Sequence, residues 1–267
     1  MINLDAGVIR ESLGEAAATR LSCFDTFPEI ESTNTYLMQR TGPPPGQLHV
    51  AATTNQTMGR GRHGRTWQSP PGSGLCLSIA YTFGVQPANL SALTLAIGIG
   101  VIDALEDSGA GGVQLKWPND LIVDGGKLGG ILTESQSLTS GAVTVVTGVG
   151  LNVNLGDMSD FELEMGSVRR VADLTRITAR PPKYEDLAAV LIDKLCATFV
   201  EFEVDGFEPY AQRWVERDWL FGRDLVIDMQ QRQVTGTGAG IGDDGALLVD
   251  TGKGRIQRIT SGTVVLS

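Results

Sequence analysis

A short run rich in glycine and arginine, residues 57–65, constrains this chain more than any other stretch. It holds three arginines, three glycines and one histidine, and apolar, strand-like segments flank it at residues 48–54 and 75–83. Glycine lets backbone N–H groups approach a ligand closely, and arginine binds carboxylates and phosphates through a planar pair of donors. No Asp or Glu occurs between residues 32 and 102. The run, called the Gly/Arg loop below, is therefore expected to be a loop between two strands that binds a small anion.

Of three other interpretations of this loop, the sequence rejects the first and leaves the other two open. Residues 59–64 match the G-x-G-x-x-G pattern of dinucleotide-binding folds, but that pattern requires a helix directly after it and an acid about 20 residues later. Residues 66–74 have the composition of a loop, and the next acid is Asp103. A flexible RNA-binding segment is the second alternative, which a single short copy between strands disfavours. A solvated surface loop is the third.

The composition excludes several classes of protein. With 31 acidic and 21 basic residues the formal net charge is −10 at pH 7, and such a chain repels nucleic acids and anionic membranes on average. Its three cysteines, Cys23, Cys76 and Cys196, are widely spaced, which fits neither a disulfide framework nor a zinc site and indicates a reducing compartment. The sequence has neither a signal-peptide start nor a run of about 20 apolar residues. We expect a cytoplasmic protein that binds neither DNA nor membrane.

Hydrophobic periodicity predicts an α+β domain followed by a small β-barrel. Helices are predicted at residues 4–18, from residue 33, and at 88–108, 184–204 and 207–218. Strands are predicted at residues 21–27, 48–54, 75–83, 113–123, 127–132 and 142–148. Five short strands separated by Gly/Asp turns follow from residue 225, which is typical of a barrel. The predicted domains are residues 1–219 and 220–267.

Two places along the predicted fold present polar side chains at the end of an element. Ser32 and Thr33 precede a helical run, where they serve either as an N-cap or as ligands for the polar end of a small molecule. Pro118 interrupts a strand because proline cannot donate to the ladder, and the break displays Asn119 and Asp120. Both places are candidates for a binding site.

Lys127 follows a predicted tight turn and precedes a pair of glycines. It is either a solvated lysine beside the turn or a side chain directed at a ligand, since glycines inside a strand indicate close approach of a ligand or of another backbone. Residues 148–154 repeat the pattern of glycines followed by an amide. The acid-rich residues 155–169 are predicted to form a mobile loop.

Five motifs in order resemble those of bacterial biotin–protein ligases. They are residues 32–34, Gln56 with 59–65, 116–120, 126–132 and 148–152. One such motif would be weak evidence, whereas five in the same order are specific. The resemblance covers most of the first two thirds of the chain, and the predicted barrel is similar to the SH3-like domain of that family. It implies a mixed β-sheet with flanking helices, of the class II aminoacyl-tRNA synthetase and biotin ligase type.

The resemblance implies an ATP-dependent ligase. Its substrates would be biotin and ATP with Mg²⁺, its intermediate biotinyl-5′-AMP, and its protein partner the biotin carboxyl carrier domain of an acyl-CoA carboxylase. Only 31 residues precede Ser32, whereas an independent domain needs at least about 50. A DNA-binding repressor module is therefore not expected. The protein is expected to be a monomer or a weak homodimer.

The same resemblance implies a role for each motif residue. Lys127 and Arg62 would be catalytic. Biotin would be bound by Ser32, Thr33, Asn34, Gln56, Arg60, Gly61, Arg62 and Lys127. The nucleotide would be bound by Arg60, Arg62, Arg65, Trp67, Asn119, Lys127 and Asn152. No residue is assigned as a metal ligand, although Asp120 could help to place a metal or the incoming amine. Cations suit this chemistry, because a carboxylate must approach a phosphate and positive charge reduces their repulsion.

Two rival functions and three departures accompany the resemblance. A lipoate or octanoyl transferase shares the core and the motif lysine, but the Gly/Arg loop favours biotin. A binding protein without catalysis is disfavoured because Lys127 and Arg62 are both present. Met58 and Cys76 differ from residues common in the family, and residues 155–169 contain no Trp. The packing of adenine therefore stays open.

Overall fold

The computed structural model describes residues 2–156, 170–178, 180–229 and 232–266. The helices in these ranges are α1 Ala6–Glu11, α2 Glu15–Arg20, α3 Thr33–Met38, α4 Leu93–Asp107, α5 Tyr184–Asp205 and α6 Glu208–Arg217. The strands are β1 Leu21–Phe27, β2 Leu48–Thr53, β3 Gly74–Phe83, β4 Gln114–Lys116, β5 Asp120–Val123, β6 Gly126–Ser137, β7 Val143–Asn152, β8 Asp224–Asp228, β9 Gln233–Ile241, β10 Leu247–Asp250, β11 Ile256–Ile259 and β12 Thr263–Leu266. The predicted mobile loop at 155–169 lies mostly outside the described residues. Within those ranges no helix has both the length and the apolar character to cross a membrane.

Strands β1 to β7 form one mixed sheet in the order β1-β2-β3-β7-β6-β5-β4. β1 and β2 are parallel, and the other neighbours are antiparallel. β3 and β7 pair along their whole length, from Gly74 opposite Asn152 to Phe83 opposite Val143. β3 is buried at every position, because it contacts α3 and α5 as well as its neighbouring strands. This arrangement confirms the predicted α+β fold with flanking helices.

Helix α4 lies in the core, as its apolar sequence predicts. Among its 15 residues, 11 are buried, because apolar side chains occupy nearly every side of the helix. It begins at Leu93 rather than at 88, since residues 90–92 first form a 3-10 turn. A Cβ on Gly100 would stand 2.4 Å from the hydroxyl of Thr198 on α5. The glycine therefore lets the two helices pack closely.

The single helix predicted at residues 4–18 is two helices. The chain turns between α1 and α2, and the Gly14 N–H donates to both carboxylate oxygens of Asp193 on α5 at 3.0 Å. Both short helices pack against α5, so apolar residues recur on both sides of the turn. Periodicity alone could not reveal this break.

The five predicted C-terminal strands form an antiparallel sheet in the order β11-β10-β9-β8-β12, in agreement with an SH3-like domain. Its residues Leu225, Ile227 and Val249 belong to the same hydrophobic core as the helices. The indole N–H of Trp117 donates to the carbonyl of Gly245 at 2.9 Å. The sheet is therefore packed against the first part of the chain. The predicted boundary after residue 219 falls between α6 and β8, and it stays a prediction.

Candidate active site

A cavity of about 510 Å³ lies where the Gly/Arg loop, the central sheet and the C-terminal sheet meet. The sequence predicted twelve residues for the site, and all of them line it: Ser32, Thr33, Asn34, Gln56, Arg60, Gly61, Arg62, Arg65, Trp67, Asn119, Lys127 and Asn152. They come from separate motifs, so the fold alone brings them together. The individual role of each residue stays a prediction.

The Gly/Arg loop folds into a narrow hairpin beside this cavity. The Gly61 N–H donates to the Arg65 carbonyl at 2.7 Å, and the Trp67 N–H donates to the Gly59 carbonyl at 2.9 Å. Gly59 has no room for a side chain, because a Cβ would stand 2.5 Å from the carbonyl oxygen of Trp67. His63 makes the turn with a left-handed φ of 55°. The next element is strand β3 rather than a helix, which excludes the dinucleotide-binding interpretation.

Arg60 in this loop already has a carboxylate partner. Its guanidinium donates to Glu134 on β6 at 2.8 and 3.2 Å. Asn34 Nδ2 also donates to Glu134, at 3.1 Å. The stretch without acids thus contacts an acid from a strand that is distant in sequence. No local pattern in the sequence predicted a role for Glu134. A ligand that bound Arg60 would share the guanidinium with this carboxylate or displace it.

We expect Glu134→Gln to loosen the Gly/Arg loop in the ligand-free protein. The amide keeps the shape of the carboxylate but removes the charge that holds Arg60. The free energy of unfolding should change by only about 0–1 kcal/mol, because the Arg60 side chain is 47% exposed. Limited trypsin digestion should cut after Arg60 severalfold faster than in wild type. Equal rates for Glu134→Gln and the exposed-site control Glu11→Gln would contradict this role.

A buried polar network joins α3 to β3 on another wall of the cavity. Thr33 Oγ1 bonds to Ser78 Oγ at 2.6 Å, and Ser78 Oγ donates to Asn34 Oδ1 at 2.6 Å. Gln56 Oε1 accepts the Thr33 backbone N–H at 2.8 Å. Ser32 is the N-cap of α3 and also lines the cavity. The capping and the ligand-facing interpretations of Ser32 are therefore compatible.

Glycines in β6 and β7 leave space for other groups of the protein to pack against the cavity wall. A Cβ on Gly150 would stand 2.7 Å from the Trp67 indole, and one on Gly148 would stand 2.2 Å from Asn34 Oδ1. A Cβ on Gly129 would stand 2.5 Å from the carbonyl oxygen of Gly150. Close approach of side chains and backbone thus explains these glycines before any ligand is considered.

We expect Gly150→Ala to destabilise the protein by about 1–3 kcal/mol, because the added methyl overlaps the Trp67 indole. Displacement of the indole should also weaken ligand binding in the cavity. Gly111→Ala is the matched control, since no atom lies within 4 Å of a Cβ built there. Urea unfolding of both variants measures the difference, and equal free energies of unfolding would show that the indole is not confined at Gly150.

Lys127 lies at the start of β6, after the turn that the sequence predicted. Its Nζ forms an ion pair with Asp120 Oδ1 at 2.6 Å and lies 5.8 Å from the centre of the Trp67 ring. Asn152 Nδ2 donates to the Lys127 carbonyl at 3.2 Å. Lys127 is therefore a fixed cation of the cavity rather than a freely solvated side chain.

The other predicted nucleotide-binding residues are held in different ways. Asn119 Nδ2 donates to the carbonyl of Ile131 at 2.8 Å. Arg65 donates to Thr263 Oγ1 on β12 at 3.1 Å, so the C-terminal sheet contributes to the site. Arg62 is half-buried, and this burial is the main cause that lowers its pKa. A half-buried guanidinium beside a cavity is well placed to gain from an incoming anion.

Two residues that line the cavity are not among the site residues predicted from the sequence. Cys76 lies on β3, and burial raises the pKa of its thiol to about 12, so it forms a neutral wall at physiological pH. Lys116 lies at the end of β4, and burial lowers the pKa of its ammonium to about 8. A lysine between the apolar residues Leu115 and Trp117 is the sequence signal that could have drawn attention to it.

The chain is similar to known proteins in sequence and in fold. The sequence profile of the biotin/lipoate A/B protein ligase family matches residues 26–152, and that of the biotin protein ligase C-terminal domain matches residues 225–267. The bifunctional ligase/repressor BirA of Escherichia coli is 36% identical over 228 residues, which cover 84% of this chain and 68% of BirA. The biotin–[acetyl-CoA-carboxylase] ligase of Mycobacterium tuberculosis is 30% identical over 249 residues, covering 90% of this chain and 88% of that ligase.

A solved structure shows the same fold. The biotin protein ligase from Aquifex aeolicus in complex with biotin and ATP superimposes with a TM-score of 0.73 at 24% identity, over 92% of this chain and 99% of that chain. The chain belongs to the biotin/lipoate A/B protein ligase family. Of the two relatives named above, the Mycobacterium tuberculosis protein is named as a biotin–[acetyl-CoA-carboxylase] ligase.

Proposed function

We infer that this chain is a biotin–protein ligase. It activates biotin with ATP as biotinyl-5′-AMP and then transfers the biotinyl group to a lysine on the biotin carboxyl carrier domain of an acyl-CoA carboxylase. The observation that carries this conclusion is the presence of all twelve motif residues around one cavity. The relative from Mycobacterium tuberculosis, named as a biotin–[acetyl-CoA-carboxylase] ligase, supports the choice of carrier.

The first half-reaction requires positive charge where two anions meet. A carboxylate oxygen of biotin forms a bond to the α-phosphorus of ATP, the bond from that phosphorus to the bridging oxygen breaks, and pyrophosphate leaves with the electron pair. We propose that Lys127 and Arg62 are the catalytic residues of this step. Their support is the fixed position of Lys127 beside Asp120 and the half-buried position of Arg62 on the cavity wall. Preorganised cations stabilise such a transition state.

Biotin and the nucleotide would bind on different walls of the cavity. The polar network supports a biotin side, because it offers hydroxyl, amide and backbone groups that can bond to a polar ring. We propose that biotin is bound by Ser32, Thr33, Asn34, Gln56, Arg60, Gly61, Arg62 and Lys127. The proposed nucleotide-binding residues are Arg60, Arg62, Arg65, Trp67, Asn119, Lys127 and Asn152.

Magnesium would arrive with the nucleotide. Among the described residues no group of three or more His, Cys, Asp and Glu side chains is placed to hold a metal ion. Of the Asp and Glu residues that the structure describes, only Asp120 lines the cavity. Its carboxylate is paired with Lys127. Mg²⁺ keeps several waters and commonly binds through phosphate oxygens. The site therefore suits a Mg²⁺ ion carried by ATP.

We further propose a two-domain protein of residues 1–219 and 220–267 that works in the cytoplasm as a monomer or weak homodimer. The gap between α6 and β8 supports this division. The net charge of −10 supports an enzyme that binds neither DNA nor anionic membrane.

Transfer to a carrier domain tests the proposed function. The purified chain is incubated with ATP, Mg²⁺, biotin and a biotin carboxyl carrier domain, and the carrier is weighed by mass spectrometry. One biotinyl group should be added, and none to a carrier whose acceptor lysine is replaced by arginine. An unmodified wild-type carrier in the presence of accumulated biotinyl-5′-AMP would contradict the second half-reaction.

A further inference from the structure

Lys116 has no role in the steps described above. It ends β4, an edge strand of the central sheet, and only 3% of its surface is exposed. Its neighbours Leu115 and Trp117 belong to the hydrophobic core. Because side chains alternate along a strand, Lys116 extends to the side of β4 opposite Leu115. That side is the wall of the cavity.

The ammonium of Lys116 has no carboxylate partner within ion-pair distance in the described part of the chain. Asp120, which lies opposite it on β5, is bonded to Lys127 at 2.6 Å instead. The ring of Trp219 lies 5.8 Å from Lys116 Nζ, which is a weaker kind of contact. A buried charge without a partner opposes folding. The chain therefore retains at this position a side chain that its own stability does not favour.

The charges around Lys116 increase its tendency to bind an anion. Burial is the largest cause of its lowered pKa of about 8, Lys127 and Arg65 lower the pKa as well, and Asp120 opposes them. An anion in the cavity would stabilise the ammonium and raise this pKa. Arg60 and Lys127 already have carboxylate partners, whereas no carboxylate of the described residues forms an ion pair with Lys116.

ATP carries the largest negative charge that the reaction brings into the cavity. Biotin contributes one carboxylate, whereas ATP contributes a triphosphate, and negative charge grows on the departing phosphates as pyrophosphate leaves. The ammonium of lysine is a compact charge that commonly binds phosphates. A phosphate is therefore the anion that matches an unpaired, buried lysine in this cavity.

We propose that Lys116 binds the β- and γ-phosphates of ATP and stabilises pyrophosphate as it leaves, an assignment that rests on the proposed function. The biotin carboxylate bonds to the α-phosphorus, and the bridging oxygen departs with its electron pair. Lys116 keeps its protons throughout and neutralises part of the charge that develops on the leaving group.

The first test measures binding of inorganic pyrophosphate with Mg²⁺ by calorimetry at pH 7. Lys116→Met removes the charge at similar length, and it should unfold at the same or a higher urea concentration than wild type because it removes a buried unpaired charge. Its affinity for pyrophosphate should fall about tenfold to a hundredfold. Lys183→Met, at an exposed position, is the matched control and should bind as wild type does.

The pH dependence of this binding separates charge from shape. A bound anion raises the pKa of Lys116 above its value in the free protein. Wild-type affinity should therefore be highest below about pH 8 and should fall as the pH rises above it. Lys116→Arg keeps its charge over the same range. Between pH 7 and about pH 9.5 it should lose less affinity than wild type.

Kinetics complete the test. Lys116→Met should raise the KM for ATP in biotin-dependent pyrophosphate exchange and leave the KM for biotin unchanged. It should transfer pre-made biotinyl-5′-AMP to the carrier at the wild-type rate.

Wild-type pyrophosphate binding by Lys116→Met would overturn the assignment. A loss confined to transfer would also overturn it, and would favour a base that deprotonates the acceptor lysine. Exchange that is missing from the wild type would instead count against the proposed function.

Discussion

Lys127→Ala and Lys127→Arg should both form biotinyl-5′-AMP at least about a hundredfold more slowly than wild type, with a much smaller loss when pre-made biotinyl-5′-AMP is supplied with the carrier. The ammonium is fixed by Asp120 at 2.6 Å, and the Lys127 backbone is bonded by Asn152 at 3.2 Å. In the proposed mechanism this position would place a single charge between the biotin carboxylate and the α-phosphate. Arginine keeps the charge, but its larger forked group should misplace it.

The two half-reactions are measured separately, by release of pyrophosphate and by labelling of the carrier. Asp120→Asn is the control for an indirect effect, because it removes the partner of Lys127 and keeps the lysine. If the ion pair alone mattered, Asp120→Asn would reproduce the full loss. Normal adenylate formation by Lys127→Arg, or equal losses in both half-reactions, would show that Lys127 works in another way.

Arg62→Ala should lose about 3 kcal/mol of transition-state stabilisation, which is roughly a hundredfold or more in rate. Arg62 is half-buried on the cavity wall, and its lowered pKa reflects that burial. A cation in such a place interacts strongly with a bound phosphate, because less water screens the charges. Biotinyl-5′-AMP should also escape faster from the variant, as measured by the adenylate found free in solution.

Arg65→Ala is the comparison variant for Arg62→Ala. Arg65 comes from the same loop but is exposed and bonded to Thr263, so its loss should have a smaller effect on rate. Wild-type transfer by Arg62→Ala, without faster escape of the adenylate, would show that Arg62 does not hold it.

The sequence was most informative where local chemistry decides the structure. The apolar strand before the Gly/Arg loop, the buried helix α4 and the C-terminal strands were predicted because the length, pattern and flanking turn residues of each are typical of one kind of element. The site residues were predicted for a different reason. Their motifs resemble those of a known family, and the fold then gathered them around one cavity.

The sequence was least informative where distant segments meet. Glu134 bonds to Arg60, and Thr263 bonds to Arg65, and both contacts depend on how the sheets are placed rather than on any local pattern. Ser78 could have been noticed, since it is a serine within a buried, otherwise apolar part of β3. Its bond to Asn34 nevertheless required the three-dimensional arrangement.

Competition between two acids tests the central claim most directly. The purified chain is incubated with ATP, Mg²⁺ and equal concentrations of biotin and lipoate, and the acyl-adenylates are identified by mass. The account predicts biotinyl-5′-AMP as the main product, and little of it from Lys127→Ala. Lipoyl-5′-AMP as the main product, or no acyl-adenylate at all from an otherwise folded protein, would contradict a biotin–protein ligase.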